Sequence, residues 1–132
     1  MAPRFDAIGM VVKDMAATLT FYRLLGLDIP EEAGSEGHVE AALPGGTRLM
    51  FDTEDMVRSF DSNWTPPARP GPIAFAFLCD DPTEVDATFR RLVDAGYESA
   101  LAPWDAFWGQ RYATVHDPDG NAIHLFAGLG DS

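Results

Sequence analysis

The sequence is poor in cysteine and in basic residues, and it has no long hydrophobic run. One cysteine in 132 residues excludes a disulfide within the chain, and a cytoplasmic location is then the simplest expectation. Near the N-terminus no basic segment precedes an apolar one, and no stretch approaches the roughly 18 apolar residues of a membrane span. We therefore expect neither export nor membrane insertion. Nine basic residues against 21 acidic ones, a formal charge of −12, argue against nucleic acid as a partner.

What the sequence does contain is an internal repeat. Each of two segments begins with a strand pattern, continues into a helix capped by an acid, and ends in three shorter strand patterns. The capping acid is Asp14 in the first segment and Asp81 in the second. Residues 1–66 and 67–132 each carry a formal charge of −6, so neither half is a basic arm or an acidic tail.

These patterns predict a single α+β domain, residues 1–132, made of two βαβββ modules. The modules span about 1–52 and 72–126, and a long loop, 53–71, joins them. The predicted strands are 5–12, 27–29, 38–43, 47–52, 73–79, 97–102, 110–116 and 121–126, with helices over 15–25 and 82–95.

Alternation along these strands separates two faces of the sheet. One face carries large apolar residues, and we expect it to pack on the helices. The other face carries small residues on the strand that begins each module, such as Ala7 and Gly9, and polar or aromatic residues elsewhere, such as Tyr112. If the sheet curves around this second face, it encloses a ligand pocket. The alternative is an ordinary solvated sheet face, although such faces favour Lys, Glu and Thr over Ala, Gly, Met and Phe.

Two predicted loops, 53–71 and 103–109, contain all three tryptophans of the chain, Trp64, Trp104 and Trp108. Indole rings stack on planar aromatic ligands, which makes these loops candidates for ligand contact. The alternative is that the rings anchor the core or a subunit interface, where Trp and Tyr are also enriched.

The order and spacing of several short motifs resemble the vicinal oxygen chelate superfamily, the glyoxalase and bleomycin-resistance group. The motifs are Val11-Val12-Lys13-Asp14-Met15, Phe21-Tyr22, Leu25-Gly26-Leu27, Asp80-Asp81, Ala95-Gly96-Tyr97, Trp108-Gly109-Gln110-Arg111, Asp117-Pro118-Asp119-Gly120-Asn121 and Ile123-His124-Leu125. The resemblance covers nearly the whole chain. It implies a curved mixed sheet that forms a cup with the helices on its outer face, and a homodimer in which both chains contribute to each cup.

The resemblance also implies where a metal ion would bind. Enzymes of the superfamily hold a divalent metal with His and Glu side chains at four strand positions that face the cup. These positions correspond here to Ala7, Met50, Ala74 (or Pro72, if the register slips) and His124. Only His124 has a suitable ligand side chain, so we expect neither a metal nor another cofactor. In the alternative, His38 and Glu40 rebuild part of a metal site.

The sequence therefore resembles the antibiotic-binding branch of the superfamily. We expect a metal-free homodimer that confers resistance by sequestering a bulky aromatic or glycopeptide drug, with no catalytic residue. The candidate ligand-binding residues are His38, Arg48, Met50, Phe60, Trp64, Trp104, Phe107, Trp108, Tyr112 and His124. The alternatives are a metal-dependent lyase, isomerase or dioxygenase, and a scaffold that binds another protein through its aromatic loops.

Overall fold

A computed structural model describes residues 2–130, which form two compact units that divide after Ala68. The predicted fold class is confirmed: the chain is an α+β protein built from two βαβββ-type modules with mixed sheets. The elements of the first unit are β1 (Ala7–Val12), α1 (Met15–Leu24), a 3₁₀ helix (Glu31–Ser35), β2 (His38–Ala42), β3 (Arg48–Thr53) and α2 (Glu54–Phe60). Its sheet has the order β1-β3-β2, with β1 parallel and β2 antiparallel to β3.

Helix α1 begins where the sequence predicts, because the Asp14 carboxylate accepts a hydrogen bond from the backbone N–H of Ala17 at 3.1 Å. Phe21 and Tyr22 lie on its buried side, and their rings pack edge to face with centroids 5.0 Å apart. Tyr22 also contacts Phe51 of β3 at 5.4 Å. This aromatic contact fixes the helix on the inner face of the first sheet.

The predicted strand at 27–29 is wrong. The segment has no regular structure, and its last residue is held by a side chain instead of a sheet ladder. The Arg23 guanidinium donates to the carbonyl oxygens of Ile29, at 2.9 Å, and Pro30, at 2.5 Å. A buried backbone carbonyl needs a donor, and here the helix supplies it.

The predicted connection 53–71 begins with a helix, α2. The Thr53 hydroxyl caps it by accepting from the Met56 N–H at 3.1 Å, and Glu54 and Asp55 lie in its first turn. A capping Thr followed by acids is an N-terminal helix signal. The predicted loop is therefore wrong at its start, where residues 54–60 are helical.

The second unit contains a complete βαβββ module. Its elements are β4 (Phe75–Leu78), α3 (Pro82–Asp94), β5 (Ser99–Ala106), β6 (Gln110–His116) and β7 (Ala122–Gly128). The sheet has the order β4-β7-β6-β5, with β4 parallel to β7 and the other pairs antiparallel. The Asp81 carboxylate caps α3 by accepting from the Glu84 N–H at 2.8 Å, as predicted.

The predicted loop 103–109 is wrong in its first half, because β5 continues to Ala106 and only residues 107–109 form a turn. Two register shifts against β6, between Ser99 and Leu101 and between Leu101 and Trp104, let the strand pass Pro103. A proline is tolerated in this way on an edge strand or at a bulge. Trp104 is therefore a strand residue, and its side chain has a fixed place on the sheet.

Each unit has its own apolar core between its sheet and its helix. Leu19, Phe21, Tyr22 and Phe51 are fully buried in the first unit. The second core is formed by α3 and the inner face of its sheet, with fully buried Val85, Leu92, Val115, Ile123 and Leu125. The longest helix among the described residues has 13 residues. No helix in this part of the chain is long and apolar enough to cross a membrane.

Candidate ligand-binding site

The second unit presents a row of apolar side chains across all four strands of its sheet. The register places Leu78 of β4, Phe126 of β7, Tyr112 of β6 and Trp104 of β5 next to one another. Residues paired in this way project to the same face. We call these four residues the apolar row. Leu78 is 73% exposed and the other three are partly exposed, whereas the residues of β6 and β7 that face the other way are buried, namely Ala113, Val115, Ile123 and Leu125.

The turn between β5 and β6 adds two more rings beside this row. The Trp108 ring lies 5.3 Å from that of Tyr112 and 5.5 Å from that of Trp104, in both cases nearly perpendicular. Phe107 contacts Trp108 at 4.9 Å and is itself 90% exposed. Trp108 is 48% exposed, and its indole N–H donates to Gln110 Oε1 at 2.8 Å. The turn closes at Gly109, whose φ of 93° favours glycine.

A polar pair lies in the next row of the same face. Thr114 Oγ1 and His124 Nδ1 are 2.8 Å apart on neighbouring strands, and the His124 ring contacts that of Tyr112 at 5.2 Å. Burial lowers the pKa of His124, so the ring is neutral at pH 7. A neutral ring that accepts a hydrogen bond from the Thr114 hydroxyl at Nδ1 keeps an N–H donor at Nε2. Burial also raises the pKa of the Tyr112 phenol, which therefore stays protonated.

The first unit has a chain of charged side chains on the face of its sheet that carries Gly9 and Met50. Arg48 donates to Asp6 at 2.5 Å and to Glu40 at 2.6 Å. Glu40 in turn lies 2.8 Å from His38 Nε2, and Asp52 lies 2.6 Å from His38 Nδ1. We call these five residues the charged chain. They tie the N-terminal segment, β2 and β3 together.

Two carboxylates favour the cationic form of His38. Both ring nitrogens face a carboxylate oxygen, and both can donate only when the ring is doubly protonated. The hydrogen bonds to Glu40 and then to Asp52 raise the pKa of His38, and those from His38 and Arg48 lower the pKa of Glu40. The side chains are partly exposed, so solvent screens these interactions.

The side chains at the four positions implied by the resemblance do not suit the divalent metal that enzymes of that superfamily bind. Ala7 and Met50 offer a methyl group and a soft thioether, neither of which binds a hard ion. Ala74, just before β4, offers a methyl group, as does Ala76, which pairs with His124. Within residues 2–130 no three His, Cys, Asp or Glu side chains are grouped to hold a metal ion.

The alternative metal site at His38 and Glu40 is also unsuited to a metal. A metal ligand must be a neutral imidazole with a free lone pair, whereas both nitrogens of His38 are engaged by carboxylates. Glu40 is further engaged by Arg48. This set of side chains is satisfied internally.

The remaining candidates have local roles in the first unit. Met50 lies over Gly9, with its terminal methyl 3.8 Å from where a Cβ on that glycine would be. Phe60 is exposed at the end of α2. Trp64 lies under the Arg58 guanidinium, 5.4 Å from the ring centroid, in a cation–π contact. Arg58 also pairs with Glu54 at 3.5 Å.

Three residues of the site face were missing from the candidates, namely Leu78, Phe126 and Thr114. Strand alternation places all three on the same face as Tyr112 and His124, so the signal was present in the sequence. Asp6 was also missed, because it precedes β1 and carries no pattern that links it to Arg48.

Residues 4–125 match the Glyoxalase/Bleomycin resistance protein/Dioxygenase superfamily. The chain belongs to this superfamily, and the resemblance seen in its motifs is confirmed at that level. An uncharacterised protein of Mycobacterium bovis is 30% identical over 117 residues, which are 85% of this chain and 75% of that protein.

Solved structures show the same fold. A glyoxalase-related enzyme from Fulvimarina pelagi superposes with a TM-score of 0.80 at 22% identity, over 96% of this chain and 89% of that one. A glyoxalase/bleomycin resistance protein/dioxygenase from Nocardioides gives a TM-score of 0.71 at 24% identity, over 100% of this chain and 87% of that one. At these identities the likeness concerns the architecture, and the site must be interpreted from this chain's own residues.

Proposed function

We propose that this protein binds and sequesters a bulky planar aromatic molecule on the face of the second unit that carries the apolar row, without a metal ion. An antibiotic is the ligand class that the family resemblance suggests. The observation that carries the proposal is the apolar row together with Phe107 and Trp108, where neighbouring rings lie 4.9 to 6.4 Å apart and Leu78, Phe107 and Trp108 are exposed.

A solvated sheet face rarely carries so many neighbouring apolar side chains. Single exposed apolar residues are common, but a contiguous apolar patch usually marks a binding site. Each ring that stacks on a ligand contributes about 0.5–1.5 kcal/mol beyond the burial of area.

The polar pair gives this surface a means of orienting the ligand. Ligand sites are mostly apolar and contain a few placed polar groups. His124 and Thr114 lie directly beside the apolar row, 2.8 Å from each other. A hydroxyl or carbonyl at the rim of the ligand finds its partner here.

Tryptophan fluorescence tests the proposal. Titration with planar polycyclic antibiotics should quench emission in a saturable manner, and the change Trp108→Ala should weaken binding at least tenfold. The change Phe5→Ala is the control, because Phe5 is an exposed ring that precedes β1 in the first unit. It should leave affinity unchanged. If no planar aromatic compound and no glycopeptide binds below millimolar concentration, the proposal is wrong.

We also propose the homodimer that the resemblance implies. The exposed apolar side chains of the second unit, such as Leu78 and Ile73, agree with a contact between subunits. Sedimentation equilibrium at micromolar concentration tests this separately from binding. A mass of 14.4 kDa would show a monomer and contradict it.

A further inference from the structure

One polar atom of the site face is left without a partner. Within residues 2–130, the indole Nε1 of Trp104 is buried and makes no hydrogen bond. An indole N–H is a donor only, and when buried it normally finds an acceptor. Leaving it unpaired costs free energy, so such an atom in a binding face requires an explanation.

We infer that the Trp104 indole N–H donates to a carbonyl oxygen at the rim of the bound aromatic ligand, so that the protein selects aromatic ketones and related carbonyl compounds over plain hydrocarbons. This inference rests on the proposed function. It adds a donor that neither the motifs nor the family positions indicate, and it assigns Trp104 a role in specificity that a purely stacking ring would not have.

The geometry of the two indoles supports this assignment. The Trp104 and Trp108 rings are nearly perpendicular, at 88°, with centroids 5.5 Å apart. A ligand stacked parallel to Trp108 therefore crosses the plane of Trp104 and meets it with its rim. A carbonyl oxygen at this rim is the ligand group that can accept from an indole N–H.

Access to this donor depends on Trp108. That side chain belongs to a three-residue turn, is 48% exposed, and its indole N–H is already satisfied by Gln110 at 2.8 Å. Trp104, by contrast, is held on β5 opposite Tyr112. The exposed Trp108 ring can adjust together with a ligand stacked on it, while Trp104 and its donor keep their place on the strand. Thus the two indoles differ in one decisive way: only Trp104 has a donor to offer.

The test compares two ligands of the same shape, fluorenone and fluorene, each carrying the same trimethylammonium chain for solubility. Isothermal titration calorimetry gives the Kd of both for the full chain. In the change Trp104→Phe, which keeps a ring but removes the donor, the fluorenone should lose about tenfold in affinity more than the fluorene. The matched control Trp108→Phe should weaken both ligands by the same factor, since its N–H is paired within the protein.

The outcomes separate the inference from the proposed function. If the unaltered protein binds neither ligand, nor any planar aromatic antibiotic, both fail. If it binds fluorene and fluorenone and Trp104→Phe weakens them equally or not at all, the site stands and the donor role is refuted. Should Trp104→Phe fail to fold, as judged by circular dichroism, a Trp104 analogue with sulfur in place of the N–H gives the same comparison with the ring shape intact.

Discussion

The turn between β6 and β7 depends on a single buried carboxylate, and its removal should be costly. Asp117 is 4% exposed and accepts from the backbone N–H groups of Asp119, at 3.0 Å, and Asn121, at 2.9 Å, and from the Asn121 side-chain amide at 2.9 Å. Asp117→Ala leaves two backbone donors and one amide without this acceptor. At about 1 kcal/mol each, and more where water cannot enter, the loss is about 2–4 kcal/mol.

Such a loss is a large part of the total stability of a domain, about 5–15 kcal/mol. Chemical denaturation should show it directly, and the melting temperature should fall by roughly 8–16 °C. Asp117→Asn keeps one acceptor oxygen for the two backbone donors and should cost less than Asp117→Ala. The exposed Asp28 serves as a control, because Asp28→Ala should change stability by less than about 0.5 kcal/mol. A loss below about 1 kcal/mol for Asp117→Ala would show that the turn forms without its carboxylate.

Three further predictions follow from the burial and pairing of individual side chains. Histidine NMR should show a pKa above 6.5 for His38 and below 6.5 for His124. The pairing of His38 then stabilises the fold fully below pH 6.5, and this contribution is lost as the pH rises through the raised pKa. Equal pKa values for the two rings would contradict both assignments. Burial, and to a lesser extent the negative charges of Glu84 and Asp80, raise the pKa of the Cys79 thiol to about 11. The thiol should therefore react with a disulfide reagent at pH 8 only after denaturation. Immediate reaction of the native protein would be inconsistent with this burial. Phe51→Ala empties a fully buried position beside Tyr22 and should cost about 3–5 kcal/mol in urea unfolding, compared with less than about 1 kcal/mol for the exposed Phe60→Ala.

The parts of the fold with strong local signals could be predicted from sequence. Asp14 and Asp81 cap α1 and α3 as expected, and the strands of the second module lie close to their predicted places. The strand predicted at 27–29 is absent because Arg23 donates to two backbone carbonyl oxygens beyond the helix, and no local sequence pattern indicates that contact. Helix α2 had a local signal, Thr53 followed by two acids, that the prediction of a loop over 53–71 did not use.

The candidate site was predictable in composition and less so in arrangement. Strand alternation placed Tyr112 and His124 on one face, and the structure joins both to Trp108 and Trp104. The position of Trp104 was wrong, because bulges extend β5 through a proline that normally ends a strand. The charged chain was not foreseen either, since the pairing of His38 with Asp52 depends on the register of β2 against β3.

The irregularity of β5 also bears on how the protein behaves at high concentration. This strand is the last in its sheet, so its outer backbone groups face no neighbour within the second unit. A long, regular outer strand is a template on which another chain can extend the sheet, which is a route to fibrils. Pro103 has no backbone N–H, and the two register shifts against β6 make the strand irregular. The same irregularity that positions Trp104 thus also protects the protein from self-association through this edge.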